Sequence, residues 1–121
     1  LRFFDFEYFG RDDPVKLIAD FLWHPAMDLK HSHKNRWAFG MFNLFRAEKG
    51  LKSRFEATWP LYGVRWSLIL LNVFCADGWS KRVNARRKSD SQALLVQDRQ
   101  LKKAKNVCDF LVNSNMKCPY V

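Results

Sequence analysis

Apolar residues in this chain recur mostly at helical spacing. Val15, Leu17, Ile18, Phe21 and Leu22 follow Asp13-Pro14, a favoured N-cap followed by a favoured first helical residue. A helix is predicted from Pro14 to about Trp23, ending where His24 precedes Pro25. The segment from Pro25 to Lys34 has no periodicity and is predicted to be a loop. Trp37, Met41, Leu44 and Phe45 then mark one face of a helix from Asn35 to about Glu48, with Gly50 closing it. A short amphipathic piece, Leu51 to Ala57, comes next.

After Trp59-Pro60, the run from Ser67 to Cys75 is apolar on all sides, which predicts the most buried helix of the molecule. It is far shorter than the roughly 20 residues that a membrane span needs and is flanked by Arg65 and Asp77, so it reads as a core helix. Asp77-Gly78 signals a turn, and Trp79 to Lys88 reads as a short basic helix. The last helix is predicted from about Asp90 to Asn113, with Leu94, Leu101, Ala104, Cys108 and Leu111 facing inward and Lys102, Lys103 and Lys105 largely outside. Ser114 to Val121 is expected to fray.

The first residues break this pattern. Leu1 to Phe9 form an aromatic, strand-like run carrying Asp5 and Glu7, two positions apart, so an extended chain points both carboxylates to one side. A carboxylate within an apolar strand costs several kcal/mol to bury unless it is paired, hydrogen-bonded or metal-bound, which suggests a cation site. Pairing of Asp5 with Arg2 or Arg11 is the alternative.

Composition narrows the picture. At 121 residues and 48% hydrophobic, the chain suits one small domain with a real core, and eleven Phe and five Trp require a core or groove to hold them. A net charge of +9 raises a polyanion as partner. The cations concentrate at Lys81, Arg82, Arg86, Arg87 and Lys88 and at Lys102, Lys103 and Lys105, with no nucleic-acid motif beside them, so a solvated basic face is favoured. Cys75, Cys108 and Cys118 are odd in number and lack a CxxC pair, which argues against a disulfide framework or zinc site and makes a reducing cytoplasm the simplest compartment. His31 and His33 without further ligands read as a solvated loop. No signal peptide is visible, and the missing start methionine hints at residues upstream.

Asp5-Phe6-Glu7-Tyr8, then Gly10 and Asp12-Asp13-Pro14 opening a helix, resembles the metal-binding segment of the aminoglycoside phosphotransferase and choline kinase group of small-molecule kinases. Pro60-Leu61-Tyr62-Gly63-Val64-Arg65-Trp66, Leu70-Leu71-Asn72 and Gln100-Leu101-Lys102-Lys103-Ala104 also look like the helical C-terminal portion of the bacterial phosphotransferase enzyme family. The resemblance implies a mainly α fold: the helical C-terminal subdomain of a protein-kinase-like fold, with a metal-site strand over residues 1–8 and a substrate-side subdomain over 14–113. It implies transfer of the ATP γ-phosphate to a hydroxyl of a small molecule such as an aminoglycoside, amino alcohol or sugar, with Mg2+ and ATP as cofactors.

By the same resemblance Asp5 is a magnesium ligand and Glu7 an assisting one, as suits an ion that takes one or two carboxylates plus phosphate and water. Asp12 is a candidate for a cationic substrate or for bracing an upstream loop, beside the plainer reading of a solvated turn carboxylate. Trp59, Tyr62 and Trp66 are candidate aromatic faces for an ammonium group, with core packing as the alternative and the preferred one for Trp66. Asp13 is explained as a helix cap. The phosphate-covering loop, the ATP-anchoring lysine and the catalytic loop are not in this sequence, so the expectation is an enzyme portion inactive alone whose partner is a missing N-terminal kinase lobe. A non-catalytic basic helical binding or interaction module is the alternative.

Overall fold

A computed structural model describes residues 11–27, 29–75 and 90–120, and the side chains of 90–92 are outside that description. The predicted strand over residues 1–8, with Asp5 and Glu7, and the predicted basic helix from Trp79 to Lys88 lie outside the described residues. Those that are described are mainly helical, with no strand among them. The elements are α1 (Pro14–Trp23), α2 (His31–Leu44), α3 (Leu51–Leu71), a 3-10 turn (Asn72–Phe74) and α4 (Asp90–Asn113).

Helix α1 starts as its sequence predicts. The Asp13 carboxylate accepts from the Val15 backbone N–H at 2.9 Å, and Pro14 occupies the first turn, where an N–H would be spare. Val15, Ile18, Ala19, Leu22 and Trp23 face the core.

Helix α2 corrects the predicted boundaries at both ends. It begins at His31 and not Asn35, so the two histidines stand in its first turn and not in a loop. The Lys30 carbonyl accepts from the N–H groups of His33 and Lys34 at 3.0 and 3.2 Å, and the His31 ring meets the Asn35 amide at 3.2 Å. A polar turn carries no periodic signal, so the sequence could not show it. The helix stops at Leu44, beyond which turns continue to Gly50. Its buried residues are Ala38 and Met41, whereas Leu44 is exposed.

Helix α3 is the larger correction. The amphipathic piece from Leu51 and the apolar run from Ser67 belong to one helix that passes through Pro60. A proline inside a helix costs about 3 kcal/mol. Here Leu51, Phe55, Trp59, Gly63 and Ser67, each four residues from the next, are buried along the helix, and that packing outweighs the break. Gly50, at φ 69°, sits at the start of α3, in the left-handed region where glycine is least strained. The apolar run is not the most buried element, because Leu68 is 60% and Phe74 50% exposed.

Helix α3 packs against α1 on one side and α4 on another. Trp23 stacks on Trp59 with ring centroids 4.3 Å apart, and Phe55, Trp59 and Ile18 are among the largest fully buried side chains. On α4 the bounds match the prediction, and Ala104 and Leu111 are buried. Leu94 is 67% exposed and Cys108 is also exposed, so the predicted inner face was too broad. The segment after α4 does not fray: Asn115 and Met116 take positive φ, the Met116 N–H bonds the Leu111 carbonyl at 2.9 Å, and Cys118 and Tyr120 pack against the core. None of the described helices is long and apolar enough to cross a membrane.

Candidate functional site

Asp12, just before the α1 cap, and Lys16 and Asp20 within α1 follow one another at four-residue intervals, which places them along one side of the helix and its entry. Lys16 Nζ lies 3.3 Å from Asp12 Oδ2 and 3.4 Å from Asp20 Oδ2, so one ammonium bridges two carboxylates. Helix α3 answers with two donors to the other Asp20 oxygen: Arg65 at 2.6 Å and the Trp66 indole N–H at 2.9 Å. Asp20 therefore serves three donors from two helices. Burial would lower the Lys16 pKa, but the two carboxylates outweigh it and raise it, so this cation persists at neutral pH.

A shallow cleft of about 400 Å³ opens beside this network, lined by Lys16, Thr58, Leu61, Tyr62 and Arg65. Burial raises the Tyr62 pKa, and Asp20 and Asp12 raise it further, so the phenol stays protonated and can donate. The cleft thus presents Tyr62, Lys16 and Arg65 as donors over a charge-balanced floor.

Three of the four residues expected at a substrate site, Asp12, Tyr62 and Trp66, are gathered at this α1–α3 network. Trp59 is set apart: it is 1% exposed, with Trp23 stacked on it and Phe55 tilted 5.5 Å away. His24 meets the edge of Trp66 at 4.9 Å, so that indole is held on one side by an imidazole and at its N–H by Asp20. The sequence reading missed Lys16, Asp20 and Arg65. The Asp-x3-Lys-x3-Asp spacing at the start of the predicted helix was the available signal.

The entry of the chain into α1 is clamped as well. Arg54 Nε donates to Asp13 Oδ2 at 3.0 Å, joining α3 to the residue that caps α1. The Val15 N–H bond is the main reason the Asp13 carboxyl titrates below its usual range, with Arg54 second. Among the described residues no group of three or more His, Cys, Asp and Glu is arranged to hold a metal ion. Asp5 and Glu7 lie outside them. The chain matches no family model, no curated protein and no solved structure.

Proposed function

We propose that this chain is the acceptor-side portion of an ATP-dependent small-molecule phosphotransferase of the protein-kinase-like kind, with Asp5 and Glu7 contributing to its magnesium site. The observation that supports it most is the Asp13 junction. Six residues after Glu7 the backbone is capped by Asp13, and Asp13 is tied to α3 through Arg54. The Asp5–Glu7 segment therefore feeds into a fixed point, next to a cleft with Lys16, Tyr62 and Arg65 as donors. A phosphotransferase works by positioning an acceptor hydroxyl against a metal-bound phosphate, and a fixed Asp13 near a cleft with donors supports that reading.

In this reading the 121 residues hydrolyse no ATP by themselves. When they are carried behind an ATP-binding lobe and catalytic loop, ADP release with a panel of aminoglycosides, amino alcohols and sugars identifies the acceptor. Asp5→Asn abolishes turnover, and Trp37→Phe keeps it. Full turnover in Asp5→Asn would remove the metal assignment.

A further inference from the structure

A groove of about 720 Å³ opens where α2 gives way to α3. Its apolar wall is Phe42 and Phe45 from the end of α2, Leu51 from the start of α3, and Tyr120 from the returning C-terminal segment. The wall is braced from behind: Phe42 meets the buried Phe55 edge-on at 5.2 Å, and Tyr120 meets the buried Trp59 at 6.1 Å. Beside this hollow stands a projection. Phe39, one turn before Phe42, lines the same groove yet is 77% exposed, more than any other large apolar side chain described, and it makes no ring contact among the described residues. A phenylalanine in water forgoes the stabilisation that burial gives, and an exposed apolar patch with a polar rim marks a contact surface.

The rim indicates what meets that surface. Arg46, Glu48, Lys52 and Glu56 line the groove, all four are exposed, and none of them forms an ion pair among the described residues. Two cations and two carboxylates make this rim neutral on a chain whose net charge is +9. Two copies of so basic a chain repel where their general surfaces meet. Here they need not. An acidic partner would leave Glu48 and Glu56 against like charge, and a basic one would do the same to Arg46 and Lys52, whereas a second copy answers both signs at once. A two-fold axis, under which residue i meets j and j meets i, can set the cations of each copy opposite the carboxylates of the other.

We propose that this chain forms a two-fold symmetric dimer across the groove. Phe39 of each copy seats in the groove of the other, against Phe42, Phe45 and Leu51, and the rim charges pair around it. An apolar centre within a polar rim is the usual build of a protein interface. The groove shares none of its lining residues with the α1–α3 cleft, so this inference stands apart from the phosphotransferase reading.

Sedimentation equilibrium over a dilution series tests it on the unaltered chain, which is expected to pass from monomer to dimer as concentration rises. Phe39→Ser, at a position exposed in the single copy, weakens the dimer by about tenfold or more, as loss of a central anchor does. Exchange of charge tests the rim. Arg46→Glu with Lys52→Glu makes it acidic, and Glu48→Lys with Glu56→Lys makes it basic. Each double variant is expected to be monomeric alone, and an equal mixture of the two to form a heterodimer. A chain that stays monomeric at every concentration, a dimer that Phe39→Ser leaves as tight, or a mixture that associates no more than its parts would each overturn the proposal. In the first case, a lower urea midpoint for Phe39→Ser would assign the groove to another part of the same chain.

Discussion

Gly63 of α3 leaves the space that the six-membered ring of Trp23 occupies: a Cβ at position 63 would stand 2.8 Å from Trp23 Cζ2 and 2.9 Å from Leu111 Cδ1. Three helices converge at this point. Alanine is about 1 kcal/mol better than glycine within a helix, yet overpacking a core costs about 1–3 kcal/mol. The Trp23 ring is stacked on Trp59 and has Phe110 against its edge, so it has little room to retreat. Gly63→Ala is expected to lower stability by about 1–2 kcal/mol, read as a lower urea midpoint. An unchanged or higher midpoint would mean that Trp23 can move.

Asp13 caps α1 and receives Arg54. Asp13→Ala is expected to cost about 1–2 kcal/mol, most of it from the lost cap, because an exposed ion pair contributes little. Asn also caps helices, so Asp13→Asn isolates the charge. The folded carboxyl titrates below its ordinary value of 3.8, and its charge contribution is fully present above that pH. It is lost as pH falls through the lower folded value. The stability gap between wild type and Asp13→Asn, followed by urea unfolding at a series of pH values, should therefore be constant near neutrality and close in acid below 3.8.

Asp20 joins α1 to α3 by accepting from Arg65, Trp66 and Lys16. Replacing it by alanine removes the acceptor of the half-buried Trp66 N–H, while Trp66→Phe removes only the donor. Asp20→Ala is expected to cost about 2–3 kcal/mol and Trp66→Phe about 1 kcal/mol. The double variant should cost less than the sum, because the two share one bond. Additive losses in a double-mutant cycle would show that the Asp20–Trp66 bond carries no weight.

Burial pushes the Cys118 thiol up to about 11, and nearby Glu56 raises it too, although a hydrogen bond with the Tyr120 backbone opposes them. Only the thiolate is an effective nucleophile. With iodoacetamide at pH 8, Cys75 and Cys108, which are exposed, should react first, and Cys118 at least about tenfold more slowly. Mass spectrometry of timed digests gives the three rates. Equal rates would mean that the C-terminal segment opens faster than alkylation.

Local patterns of one or two turns were enough to determine α1 and the bounds of α4. An N-cap aspartate, a proline behind it and apolar residues at helical spacing fix α1 without reference to distant residues. The length and composition likewise called for one aromatic core, and Trp23, Phe55 and Trp59 are part of it. The Asp5–Glu7 pattern and its resemblance to a metal segment are also properties of the sequence alone.

Tertiary packing decided the rest. Pro60 is a break by every local rule, and α3 continues through it because Phe55, Trp59 and Gly63 are buried on both sides of the proline. Nothing local to Gly63 announces its role, which is the close approach of Trp23 and Leu111. Asp20 and Arg65 are 45 positions apart, and no pattern in the sequence pairs them. Tyr120 appeared to belong to a loose end, but the turn at Asn115 and Met116 returns it to Trp59. Local preferences of fractions of a kcal/mol to a few kcal/mol yield wherever a large aromatic side chain can be buried, and only the folded chain brings those side chains together.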